Sequence, residues 1–142
     1  MRWENGIFVQ IQNLSEHWTA NAYSENFGCS RFVYNHFLAQ RIAEYKATGK
    51  APTRFQQDKA LTVLKQEIDW LREPDKCALQ NSLKDLDTAY KNFFRSVKGG
   101  GKVGFPKFKS KRDRHKSYKT NSNIVVFDKH VRLPKLGLVK CH

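Results

Sequence analysis

The chain reads as an α+β protein: three helices, a basic connector, and a β-hairpin that lacks most of its sheet. Three observations predict this. Apolar residues between Phe27 and Lys98 recur at steps of three and four. A Gly-rich break at Gly99–Gly101 is followed by a run dense in Lys and Arg. Beyond it, "NIVVFDKHVRLPKL" places two short apolar runs either side of a polar turn.

The helices follow in order. "FGCSRFVYNHFLAQRIAEYKATGK" sets Phe32, Val33, Phe37, Leu38, Ile42 and Tyr45 on one face, with Gly49 as a stop. A second helix opens at Thr53, whose spacing to Gln56 is that of a capping box. Its Leu61, Leu64, Ile68 and Leu71 continue the helical step. Pro74 suits the first position of a third helix, where its missing N–H costs nothing. Leu79, Leu83, Leu86, Tyr90, Phe93 and Val97 then form one apolar stripe, the mark of a core face. The opposite face carries Lys76, Gln80, Lys84, Lys91, Arg95 and Lys98. Pro106 keeps "GFPKFKSK" extended. The hairpin runs from Ile124 to Phe127, turns at Asp128–Lys129 and returns over Val131–Leu133; "GLVK" starts a further strand. Met1–Asn26 has no clear period, although "VQIQ" alternates weakly.

Composition narrows the functional classes. A length of 142 residues with 39% apolar content supports one modest core. No window reaches eighteen apolar residues, and Arg2, Glu4 and the polar run from Gln10 break any signal-peptide core, so a cytoplasmic protein without membrane partners is expected. Cys29, Cys77 and Cys141 lie far apart and form no C-x-x-C, so no zinc ribbon is read; Cys29 and Cys77 fit buried apolar positions. The net charge is +13 and uneven. Residues 1–94 hold twelve Lys/Arg against eleven Asp/Glu, and residues 95–142 hold fourteen against two. Such asymmetry points to a polyanion, and aromatic interleaving in "GFPKFKSKRDRHKSYKT" favours nucleic acid over lipid.

The blocks "FGCSRFVYNHFLAQRIAEYKATGK", "DKCALQNSLKDLDTAYKNFF", "GFPKFKSK", "SYKT" and "LPKLGLVK", in that order, resemble the TnpB/OrfB family of insertion-sequence transposon proteins. The resemblance runs from Phe27 to Lys140 and matches the family's N-terminal portion only. It implies a three-helix, helix-turn-helix-like recognition domain and an incomplete small β-barrel, the wedge domain. It implies DNA or a transposon-derived guide RNA as partner, and no small-molecule substrate or cofactor. Full-length family members are RNA-guided DNA endonucleases with a RuvC-like domain. The corresponding division is an atypical N-terminus at 1–26, a helical recognition domain at 27–98, a basic connector at 99–122 and a truncated hairpin at 123–142.

Two departures qualify the resemblance. The clustered carboxylates that two-metal cleavage needs have no counterpart, since residues 95–142 hold only Asp113 and Asp128. The expectation is a truncated, transposase-type protein that binds nucleic acid and does not cut it. The alternative is a stand-alone small DNA- or RNA-binding regulator. The family's basic-aromatic opening strand is also missing. Codons for "VQIQNLS", Val9–Ser15, read one base out of frame can encode "FKFRIYP", so residues up to about 25 are expected to be a frameshifted segment.

The candidate contacts follow from chemistry. Gln80 can pair with adenine in the major groove, and Lys76 and Lys84 lie one turn either side of it. The resemblance places the start of this helix at the target-adjacent DNA motif. Lys107, Lys109, Lys111 and Arg112 suit phosphates, with Ser117, Tyr118, Lys119 and Thr120 as further donors. Phe105, Phe108 and Tyr118 suit either base stacking or packing. Arg54, Asn121 and Asn123 lie in segments resembling contact loops. His115 and His130 lack the partners a nuclease pair needs.

Overall fold

The computed structural model describes residues 7–10, 17–113, 117–121 and 123–140, with side chains from residue 24 onward except those of 117 and 118. Three helices and two small antiparallel sheets make up these residues, an α+β arrangement. Neither sheet closes into a barrel among the described residues.

Helix α1 spans His17–Thr48. It starts well before Phe27, where the apolar period begins. The intervening run is polar but contains no Pro or Gly, so nothing in it opposes helix. Cys29, Val33 and Phe37, one turn apart, are buried, as are Tyr34 and Leu38.

Helix α2 spans Arg54–Glu67 and starts with the expected box. The Thr53 hydroxyl accepts the Gln56 N–H at 3.3 Å, and Gln56 Oε1 accepts the Thr53 N–H at 2.8 Å. The helix stops short of Leu71. Ile68 turns extended, and Asp69–Arg72 form a separate 3-10 turn. That tighter turn still delivers Leu71 to the core with no exposure, which is why the apolar spacing outlives the helix.

Helix α3 spans Lys76–Gly99. Pro74 lies outside it, and Asp75 is the cap, accepting the Cys77 N–H on Oδ1 at 3.2 Å. A capping carboxylate there answers an orphan donor that a proline cannot. At the far end Gly100 adopts φ +69°, the left-handed geometry that favours glycine. Leu79, Leu83, Leu86 and Tyr90 are buried as the stripe predicts, but Val97 is 61% exposed and Ser96 takes the inward position.

Strand β1 (Ile7–Gln10) pairs antiparallel with β2 (Ser117–Thr120), in register Ile7 with Thr120. A strand thus lies within the segment read as atypical, and "SYKT", read as connector, is its partner. Strands β3 (Val125–Val126), β4 (His130–Leu133) and β5 (Gly137–Lys140) form a meander, the expected hairpin plus the strand after it. Leu133 and Leu136 pack with Ala78 of α3, flanked by Phe27, Ile124, Val131 and Val139. The main core joins α1, α2, the 3-10 turn and α3. Cys29 and Cys77 are buried, as expected.

Arg41 of α1 lies inside this core, 5% exposed. Its Nε donates to Gln57 Oε1 of α2 at 2.8 Å, and its Nη2 reaches Asp87 Oδ1 of α3 at 3.2 Å. The guanidinium lies 4.8 Å from the Tyr90 ring centre. Burial pushes the Asp87 carboxyl upward, but hydrogen bonds from Lys91 and Arg41, with their charges, outweigh it and hold the group below the ordinary carboxylate range. Its stabilising effect is therefore complete above the unfolded value, near about pH 4, and disappears as pH falls through the lower folded value. Urea midpoints measured from pH 6 down to pH 2 should fall more gently for Asp87→Asn than for the parent chain. Parallel curves would remove Asp87 from the acid transition.

Candidate nucleic-acid interface

The core stripe of α3 fixes what its other face can do. With Leu79, Leu83 and Leu86 turned inward, Lys76, Gln80 and Lys84 stand exposed at successive turns. Lys91, Arg95 and Lys98 are exposed further along the helix. Lys91 is tied to Asp87 at 2.9 Å. The face therefore presents an amide between two cations, spaced along about 12 Å of helix.

Lys76 also borders a cleft of about 290 Å³ lined by Lys65, Arg72, Asn123 and Lys135, with Pro74, Asp75 and Pro134. Four cations thus line a space whose single lining acid, Asp75, already accepts hydrogen bonds from the Cys77 N–H and the Thr120 hydroxyl. Arg72 is steadied by its Nε bond to the Lys65 carbonyl at 2.9 Å. Burial, then the positive charge of Lys76, push the Lys65 ammonium below its ordinary pKa. An anion in the cleft would relieve that repulsion. Lys65, Arg72 and Lys135 were not among the sequence-derived candidates. They come from three separate elements and meet only through the fold, so no local pattern marks them.

The basic connector is held as a strap across α1. Asn35 Oδ1 accepts the Lys109 N–H at 2.8 Å, and Asn35 Nδ2 donates to the Lys109 carbonyl at 2.9 Å. The Lys109 ammonium sits 4.3 Å from the Tyr34 ring centre, and burial pushes its pKa down. Next to it, Asp113 closes a turn by accepting the Ser110 N–H at 2.8 Å. The one acid of the strap is thereby occupied, and Lys107, Lys111 and Arg112 remain exposed.

Other candidates take structural posts. Thr120 is fully buried and its hydroxyl donates to Asp75 Oδ2 at 2.5 Å, which ties β2 to the start of α3 and removes it from any phosphate surface. Lys119 Nζ pairs with Asp85 at 2.6 Å, so its charge is already answered, and its carbonyl accepts from Asn81. Sequence reading placed both among the donors because their neutralising partners lie on α3, more than thirty residues away. Arg54 opens α2 and faces Asp58 one turn on, at 3.6 Å. Asn121 and Asn123 are exposed, the latter at φ +56° beside the cleft. Ser117 and Tyr118 lie in β2, with their side chains outside the described residues, as are His115 and Cys141. His130 starts β4. No group of three or more His, Cys, Asp or Glu that could hold a metal ion occurs among the described residues, and no described helix is long and apolar enough to cross a membrane.

The site thus sets an exposed Lys–Gln–Lys face on a long helix backed by two others. Comparison with known proteins finds relatives for the chain. The OrfB-type helix-turn-helix domain of IS605 elements matches residues 20–50, which is α1 without its first three residues and the two residues after it. The chain is 34% identical over 117 residues to "Putative RNA-guided DNA endonuclease InsQ" of Escherichia coli (strain K12), covering 80% of this chain and 28% of that one. It is 33% identical over 91 residues to "Putative RNA-guided DNA endonuclease" of Streptomyces pristinaespiralis, covering 63% and 21%. These matches support the TnpB/OrfB family for this chain, as its motifs suggested. The chain spans about a quarter of the length of these curated relatives.

The division between structural and exposed cations is measurable. Thr120→Val removes a buried hydrogen bond to the Asp75 carboxylate and should lower unfolding free energy by about 1–3 kcal/mol. Lys111→Ala and Arg112→Ala should stay within about 0.5 kcal/mol of the parent. Equal losses in denaturant titrations would show that the strap cations also hold the fold.

Proposed function

We propose that this chain is the nucleic-acid-binding part of a TnpB/OrfB-type transposon protein, and that it binds without cutting. The observation that carries the reading is the exposed Lys76–Gln80–Lys84 face, whose Lys76 end opens into the four-cation cleft. A duplex laid along α3 would offer base edges to Gln80, with phosphates taken up by Lys65, Arg72 and Lys135 in the cleft. The strap cations Lys107, Lys111 and Arg112 add sequence-independent attraction to a phosphate backbone. Two relatives carry names as RNA-guided DNA endonucleases, which supports DNA as target and a guide RNA as second partner.

Cleavage is not assigned to these residues. Phosphodiester hydrolysis by two metals needs carboxylates within a few ångströms of one another. Asp75, Asp85 and Asp87 are instead committed to Thr120, Lys119 and the Arg41–Lys91 pair.

Binding to a randomised duplex library, read by sequencing of retained DNA, tests the assignment. The parent chain should enrich a short motif, and Gln80→Ala should lose about ten-fold discrimination at one adenine while keeping its general affinity. Replacing Lys107, Lys111 and Arg112 together by Ala should make the slope of log affinity against log salt shallower by about two to three, with motif choice unchanged. Failure to retain any duplex or RNA at low salt would overturn the proposal.

A further inference from the structure

A different part of the molecule carries an unexplained feature. From Thr88 to Arg112 the sequence has eight Lys or Arg, five aromatic rings and no Asp or Glu. The fold gathers four of those rings at the C-terminal end of α3. Phe105 stands edge-on to Tyr90 and to Phe93, with centroids 5.4 Å apart in each case and interplanar angles of 87° and 82°. Phe94 lies near-parallel to Tyr90 at 6.3 Å and touches Phe93 at 5.3 Å. Each ring of the cluster is thus held by others. Yet Phe94 remains 55% and Phe105 46% exposed.

The backbone fixes this arrangement rigidly. The Ser96 carbonyl accepts the Gly101 N–H at 2.8 Å, and its hydroxyl accepts the Val103 N–H at 2.9 Å. A Cβ at Gly101 would lie 2.5 Å from that hydroxyl oxygen, so a larger residue there would displace the Ser96 hydroxyl from its bond to Val103. The chain is folded back to set Phe105 against α3, and the resulting aromatic edge is left open to solvent.

We infer that this edge is a separate contact site for unpaired nucleotides, with bases stacking on Phe94 and Phe105 and phosphates meeting Lys98, Lys102 and Lys107. Charge selects the occupant. A second copy would bring the same uncompensated cations to the interface and be repelled. Paired bases hide their faces within the stack, whereas unpaired bases offer a π-face to any ring regardless of sequence. The inference extends the nucleic-acid reading, and it needs neither Gln80 nor the cleft.

The test uses the whole chain with a fluorescein-labelled twelve-nucleotide oligo(U), an oligo(dT) of equal length and a twenty-base-pair duplex, read by anisotropy. Phe94→Ala should weaken both single strands about ten-fold and leave the duplex within two-fold. Phe94→Trp should restore single-strand binding, and 2-aminopurine placed in the strand should be quenched by the parent and not by Phe94→Ala. Gln80→Ala should leave single-strand binding and the general affinity for the duplex unchanged, its effect being confined to sequence choice on a duplex. Thermal melts of each variant check that the fold is retained, and Phe105→Leu supplies a second probe that removes the ring but keeps an apolar side chain. Equal loss for single strands and duplex, or no loss, overturns this site while leaving the duplex-binding proposal standing. Partition of the chain onto vesicles containing phosphatidylserine, lost in Phe94→Ala while oligonucleotide binding persists, would also overturn it in favour of a lipid surface. Absence of all nucleic-acid binding would defeat both proposals together.

Discussion

Everything on the outer face of α3 depends on one buried cation. Arg41 touches all three helices: it is borne by α1, bonded to Gln57 of α2 and paired with Asp87 of α3. Gln57 passes the connection on through its Nε2 to the Phe37 carbonyl at 3.0 Å. A guanidinium suits this position because its donors are fixed in one plane and can serve two acceptors at once. Apolar packing alone would let α3 rotate or slide by a fraction of a turn at modest cost. A charge satisfied by partners on two other helices does not allow that, since each slip would leave a buried charge unanswered. Rotation of α3 is what decides which of its side chains face outward. The orientation of Lys76, Gln80 and Lys84 is thus held by a contact at Asp87, about two turns beyond Gln80 on the same helix.

The start of α3 shows the same economy in a second place. Asp75 uses one carboxylate oxygen to cap the helix and the other to receive the Thr120 hydroxyl from β2. Helix and sheet are joined at the spot where the basic cleft opens. Lys119 to Asp85 and Asn81 to the Lys119 carbonyl continue the seam along α3. Acids that would otherwise weaken the attraction for a polyanion are consumed in holding the strand. The remaining positive charge on the strap and on α3 is left without local compensation.

Much of this was legible in the sequence where the information is local. The capping box at Thr53, the glycine stop after α3 and the alternation of the meander each arise within a few residues. The exposed triplet on α3 followed from helical spacing alone. Features that depend on distant partners were not legible. "SYKT" reads as one more basic patch until β1, over a hundred residues earlier, is seen beside it. Thr120 and Lys119 looked like phosphate donors because their acids lie on another element. Leu71 kept the helical step although the backbone had left the helix, since a 3-10 turn can return a side chain to the same core. The first turns of α1 escaped notice for the opposite reason: they form helix without an apolar stripe.

The Asn35 clamp on the strap carries a separate implication. It grips the peptide group of residue 109 and makes no demand on the side chains at 107, 111 and 112. The path of the segment and its charge are thereby specified by different atoms. Drift at those three positions can strengthen, weaken or retune the electrostatic pull without bending the chain. On the proposed nucleic-acid reading, a molecule built this way would carry an adjustable dial for how long it lingers on a polymer, mounted on a bracket that stays put as the dial is turned.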